Sequence, residues 1–177
     1  MKEFLKRIKL INKFTIVLYL NRSEFVDQLS AITELKAKGT FLNAFDMFSA
    51  DRYQYKGRVT YDGFKISQQK RFYDTNMNPA VASGILYEEN GQLTSETEIN
   101  GFNNYFILIY AALFVFYTVF LFGIATSKNN SFIAIPLLFV FLHGTTLFSM
   151  LYLIMKRNVK KMKYDLERDF FYLTKPK

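Results

Sequence analysis

Two uncharged runs in the second half of the chain constrain its fold more than any other feature. Tyr105 to Thr126 is 22 residues without a charged side chain, and Phe132 to Met155 is 24. At 1.5 Å per residue, an α-helix of either length crosses the roughly 30 Å hydrocarbon layer of a bilayer. Between them, Ser127, Lys128, Asn129, Asn130 and Ser131 form a polar turn. Pro136 falls in the first turns of the second run, where its missing N–H is tolerated. The expectation is a transmembrane hairpin, 105–126 and 132–155. The competing reading is a buried helix pair in a soluble core, which two uncharged runs of this length in so short a chain disfavour.

Charge distribution orients the hairpin. Of the net charge of +8, residues 1–13 hold five Lys/Arg and one acid, and residues 156–177 hold eight basic and three acidic residues. The stretch 14–104 holds nine basic and eleven acidic residues. Lys156, Arg157, Lys160, Lys161 and Lys163 crowd the end of the second run, whereas the turn carries only Lys128. By the positive-inside rule the turn faces out and both termini are cytoplasmic, in a multi-pass protein of a plasma (inner) membrane. Tyr105 and Tyr152 fit as interfacial belts. Basic residues confined to the two ends match anionic lipid headgroups rather than nucleic acid, which calls for cations spread across a folded face. The abundance of Phe, Tyr, Asn and Lys points to an AT-rich bacterial genome. Lys2, Lys6, Arg7 and Lys9 precede the apolar run Phe14 to Leu20, but the run is too short for a signal peptide and lacks a cleavage site.

The remaining segments predict a cytosolic α+β domain over 14–104. Residues 1–13 read as a basic amphipathic segment, with Phe4, Leu5, Ile8 and Ile11 on one side of a short helix that either lies on the membrane or covers one end of the domain. Phe14 to Leu20 alternates as a strand. Asn21 and Glu24 form a capping box, Leu20 and Phe25 a hydrophobic staple, and a helix continues through Leu29, Ile32, Lys36 and Lys38 to a stop at Gly39. Thr40 to Asp51 has no clean period and reads as a loop or short edge strand. Tyr53 to Tyr61 alternates as a strand, Asp62-Gly63 turns it, and Phe64 starts the return toward Phe72. Asn76 to Pro79 breaks the chain, Val81 to Glu88 is the next strand, and Asn90-Gly91 is a type I′ hairpin signal leading to Gln92–Ile99. The expected architecture is one helix on a mostly antiparallel sheet, then the hairpin, then a basic amphipathic helix and tail over 156–177. That last helix carries Val159, Met162, Leu166, Phe170 and Leu173 as its apolar stripe.

The order KGRVTYDGFKISQQKRFY, then ASGILYEENGQL, then INGF and two apolar spans, resembles a group of small uncharacterised bacterial membrane proteins that have an N-terminal β-rich domain followed by two transmembrane helices. The resemblance covers roughly residues 14–155 and implies the architecture without implying an activity.

Chemistry is sparsely signalled. The chain has no cysteine and one histidine, so thiolate sites, multi-histidine metal sites and a conventional Ser-His-Asp triad are excluded. No cofactor, metal site or catalytic residue is indicated. Glu88, Glu89, Glu96 and Glu98 form the densest acidic group, but a turn and a solvated strand face account for them. Lys56, Arg58, Lys65, Lys70 and Arg71 among Tyr53, Tyr55, Tyr61 and Tyr73 mark a hairpin suited to phosphate or an acidic partner, or simply to solvent. The candidate polar site is intramembrane. His143 lies mid-span, and in an antiparallel hairpin turning near residues 128–130, residues at equal depth have numbers that add to about 259. That places His143 level with Phe116 and next to Tyr117 and Thr118, with Thr145, Thr146 and Ser149 extending a polar strip and Gly144 permitting close approach. The expected function is that of a non-enzymatic membrane-anchored interaction or assembly protein, with a protein partner or a second copy of the chain left open. The alternative is an oligomeric transport or channel subunit assembled through the hairpins. A lipid-directed enzyme lacks an identifiable nucleophile and base.

Overall fold

A computed structural model describes residues 2–35, 53–68, 80–89, 92–102, 104–126 and 134–173. The fold is α+β: a six-stranded, mostly antiparallel sheet with helices on one face and two long apolar helices leading away from it. In chain order the elements are α1 (Lys2–Arg7), β1 (Ile11–Leu18), α2 (Arg22–Ala31), β2 (Thr33–Leu35), β3 (Tyr55–Thr60), β4 (Gly63–Gln68), β5 (Val81–Glu89), β6 (Gln92–Asn100), α3 (Asn104–Thr126) and α4 (Ala134–Leu173). The sheet order is β1-β6-β5-β4-β3-β2.

Period-two alternation sets the inner face. Leu93, Ser95, Thr97 and Ile99 of β6 point inward and meet Leu18, Ile16, Phe14 and Asn12 of β1, while Lys13 pairs with Glu98 and Thr15 with Glu96 on the outer face. β1 begins at Ile11 rather than Phe14, because β6 runs on to Asn100 and gives Ile11 a ladder partner. Helix α2 is shorter than its apolar stripe predicts. It ends at Ala31, where Thr33 Oγ1 donates to the Leu29 carbonyl and Ile32 turns its own carbonyl to the N–H groups of Gln54 and Tyr55. The β-branched pair Ile32-Thr33 thus leads into β2, which lies parallel to β3. Asn21 is the N-cap, but its side chain makes no capping bond, so the capping box is not formed. Thr40–Asp51, Gly39, Asn76–Pro79, Asn90-Gly91 and the turn 127–131 lie outside the described residues.

Helix α4 is one continuous rod of 40 residues, about 60 Å long. Its first half is apolar and its second half presents Val159, Met162, Leu166 and Phe170 to the sheet. There they join Leu18, Phe25, Leu29, Tyr55, Phe64, Ile66, Leu86, Leu93 and Ile99 in one core. Phe170 is held edge-on by Phe25 at 5.1 Å and by Phe64 at 5.7 Å between ring centroids. The core is therefore not contained within 14–104: the C-terminal stripe covers the sheet face and completes it.

A second cluster ties the sheet to the apolar helices. Leu5, Leu10 and Ile11 pack with Phe106 and Met155, joined by Ile8, Phe102, Tyr110, Leu151 and Tyr152. The N-terminal segment thus wedges against the base of α3 and α4. Its sharp turn is a Schellman motif: the Leu10 N–H bonds the Leu5 carbonyl, the Lys9 N–H bonds the Lys6 carbonyl, and Lys9 takes φ 60°, the left-handed region that favours glycine. Gly101 lies where β6 meets α4. A Cβ there would come within 2.5 Å of Val159 Cγ2 and 3.1 Å of the Met155 carbonyl oxygen.

Helices α3 and α4 are long and apolar enough to cross a membrane. The most apolar stretch of α3 is almost wholly exposed, with Tyr117 on the side facing α4 the exception at 9%, and in that of α4 only 6% of the residues are buried. A core helix of a soluble protein would be mostly buried.

Candidate functional site

Half-way along the apolar hairpin, Tyr117 Oη lies 2.8 Å from His143 Nδ1. The approach comes from helix geometry: α3 and α4 run antiparallel, so Tyr110 stacks on Phe148 (5.4 Å, 12°) one level below the level at which Tyr117 faces His143. Phe139 stacks on the imidazole at 5.3 Å and 9°. Among the described residues the hairpin seam is thus a ladder of rings with one side-chain hydrogen bond across it. If the ring carries its proton on Nε2, the phenol donates to Nδ1; in the other tautomer Nδ1–H donates to the phenol oxygen. Among the described residues no hydrogen bond reaches Nε2, and His143 is exposed whereas Tyr117 is buried.

The other candidates divide. Thr118 Oγ1 donates to the Phe114 carbonyl and Thr146 Oγ1 to the Leu142 carbonyl, so both hydroxyls satisfy their own helices instead of extending the His143 pair. Thr145 and Ser149 line a shallow groove of about 440 Å³ with Tyr117, Val140, Phe141, Gly144 and Phe148. A Cβ on Gly144 would sit 3.5 Å from the Tyr117 ring, an ordinary contact, so alanine fits there and only a larger side chain displaces the ring.

Where the chain leaves the apolar helices, Lys156, Arg157, Lys160 and Lys163 line a larger groove of about 750 Å³ with Lys9, Asn12, Leu153 and Glu167; Lys161 does not reach it. Lys156 lies over the Tyr152 ring, and Lys163 pairs with Glu167 at 3.5 Å. The hydroxyl of Tyr152 donates to the Ile8 carbonyl, so this ring is a strut between α4 and the N-terminal segment, not a free interfacial anchor.

The acidic group does not converge. Glu98 pairs with Lys13 at 3.3 Å and Lys2 at 3.7 Å, Glu96 accepts a bond from Tyr87, and Glu88 and Glu89 are exposed at the end of β5. Of the basic hairpin, Lys56, Arg58 and Lys65 belong to the outer sheet face, while Lys70, Arg71 and Tyr73 lie outside the described residues. Tyr55 does not stand among these cations. It points the opposite way, into the core, where its Oη donates to Asp169 Oδ2 at 2.6 Å.

That bond anchors a polar clamp the sequence does not advertise. Asp165 accepts from Gln68 Nε2, and Arg168 bridges Asp165 and Asp169 at 3.7 and 3.0 Å. Burial, then the Asp169 carboxylate, holds the Tyr55 phenol well above its ordinary pKa, so it serves as a neutral donor. The visible hint was Asp165 breaking the apolar stripe between Met162 and Leu166. A clamp fixing α4 to β3 and β4 is what this group does chemically. Comparison with models of known protein families, with curated proteins and with solved structures finds no match to this chain.

Proposed function

We propose that the chain is a membrane-anchored, non-enzymatic interaction or assembly protein, in which the sheet and the second half of α4 form a cytoplasmic platform. The single observation that carries this reading is α4 itself. Its first half leaves its apolar surface unburied, and its second half completes the core of the sheet domain without a break. Rod continuity holds the platform at a fixed height on the bilayer. The cations at Lys156, Arg157, Lys160, Lys161 and Lys163, next to the last apolar turn, support a cytoplasmic location for both termini and contact with anionic headgroups. A plasma (inner) membrane of a bacterial cell fits the same charge pattern. The outer sheet face supplies a docking surface of mixed character: Ile85 is 64% exposed and Val17 47%, among Lys13, Lys65, Glu96 and Glu98. Impermeant thiol labelling of intact cells tests the placement. A cysteine at Asn129 should be labelled and one at Tyr164, an exposed position on α4, should not. The reverse pattern overturns the orientation, and release of the chain by alkaline carbonate overturns the anchoring.

A second reading, a transport or channel subunit assembled from several hairpins, is favoured by the exposed edge of His143 and the adjacent Thr145 and Ser149. A polar edge at mid-membrane depth is costly against lipid and less so against another copy. Purification in mild detergent separates the two readings. A folded hetero-partner supports the platform, whereas a stable homo-oligomer with ion flux in liposomes supports transport.

A further inference from the structure

We infer that the groove between the N-terminal turn and α4 is a discrete binding site for one anionic phospholipid. This rests on the membrane reading above and deepens it, from diffuse attraction of basic ends to a site with walls. One wall is the left-handed turn at Lys9 with Asn12. The other is the α4 face carrying Lys156, Arg157 and Lys160.

Three observations converge. Charge comes first: among the described residues, Lys9, Arg157 and Lys160 make no ion pair, whereas Lys163 at the far end is already matched by Glu167. The near end is thus an uncompensated cluster of cations, suited to a phosphodiester. Depth comes second. Lys156, Arg157 and Lys160 lie within about 8 Å of axial rise beyond Met155, and the headgroup layer extends roughly 5–8 Å beyond the hydrocarbon on each side. Shape comes third: at its membrane end the groove is walled by Leu153, which is 59% exposed on the outer surface of α4, so acyl chains can leave along the helix while the phosphate stays among the cations. Lys9 adds a further point. Its backbone conformation suits glycine, yet a cation stands there and lines the groove.

The test is native mass spectrometry of the full chain in detergent with equimolar dioleoylphosphatidylglycerol and dioleoylphosphatidylcholine. One phosphatidylglycerol per chain should be retained in preference to phosphatidylcholine. Each cation removed should weaken it about fivefold, so that Lys9→Gly/Arg157→Gln/Lys160→Gln loses about a hundredfold. Lys56→Gln/Arg58→Gln/Lys65→Gln on the outer sheet face should bind as the unaltered chain does. Lys9→Gly alone, which relieves the left-handed turn, guards against a triple variant that fails to fold; it should bind about fivefold more weakly at undiminished thermal stability. Equal retention of the two lipids, an unaffected groove variant, or an equal loss in the sheet-face variant would overturn the site. So would full competition by glycerophosphate, which would make the ligand a soluble phosphate. A chain that resists carbonate extraction but shows no lipid preference removes this site alone, whereas a chain that carbonate releases removes the membrane reading with it.

Discussion

Replacing Phe170 by alanine tests whether the end of α4 is structural cement for the sheet. The ring is fully buried and stands edge-on to both Phe25 and Phe64. Full burial of a phenylalanine contributes about 1.5–3 kcal/mol, and each aromatic pair about 0.5–1.5 beyond its area. Together these bracket the roughly 3–5 kcal/mol that Phe→Ala substitutions cost in well-packed cores. A domain of this size has about 5–15 kcal/mol in total, so a fifth or more of the stability is at stake. The neighbouring Phe171 is 59% exposed and serves as the control: Phe171→Ala should change stability by about 0.5 kcal/mol or less. Both are measured by thermal unfolding of the full chain in one detergent, followed in the near-ultraviolet, where the packed aromatic rings report loss of tertiary structure. Similar midpoints for the two variants, or a larger loss for Phe171→Ala, would refute the placement of α4 on the sheet.

Tyr55→Phe should destabilise by about 1.5–3 kcal/mol, because it removes a hydrogen bond to a carboxylate inside the core. It should also change the alkaline limb. The folded phenol is held above its unfolded value, so its contribution is complete below about pH 10 and is lost above that at about 1.4 kcal/mol per pH unit; the variant, compared by chemical denaturation across that range, should lack this part of the slope. In the hairpin, a double-mutant cycle of Tyr117→Phe and His143→Phe in detergent should give a coupling of about 0.6–1.7 kcal/mol, and additivity would dissolve the pair. If His143 serves transport rather than packing, His143→Phe leaves an abundant, folded protein without its cellular phenotype. Gly101→Ala should cost about 1–3 kcal/mol in thermal unfolding, since Val159, stiff at χ1, cannot turn away from the new Cβ.

Local periodicity made much of this fold legible. Strands β3 to β6 alternate cleanly because one face meets a core and the other water, and the two apolar runs announce themselves by length. Equal-depth arithmetic set His143 level with Phe116, one residue from the Tyr117 it faces, because an antiparallel helix pair leaves little freedom in register. What escaped depends on contacts distant in sequence or on local rules set aside. Strand β2 is three residues long and parallel to its neighbour, too short for its pattern to compete with the preceding helix. Thr118 lies at the right depth, but its hydroxyl reaches its own helix first. Tyr55 and Asp169 are 114 residues apart, and nothing in either segment names the other. The turn at Lys9 carries a lysine where glycine would have flagged it.

The place of α4 in the chain also dictates an order of manufacture. The sheet is encoded before the hairpin, and the helix that closes its core after it, so the growing polypeptide displays Leu18, Phe25, Phe64 and Ile66 uncovered while both apolar helices are still being made. At about 5–20 residues per second, residues 101–170 take a few seconds to some fifteen to emerge, long enough for bare strands to find wrong neighbours. Completion of the sheet domain's core therefore waits on synthesis of both apolar helices. A chain cut short before Val159 keeps an open hydrophobic face that a chaperone or protease can recognise.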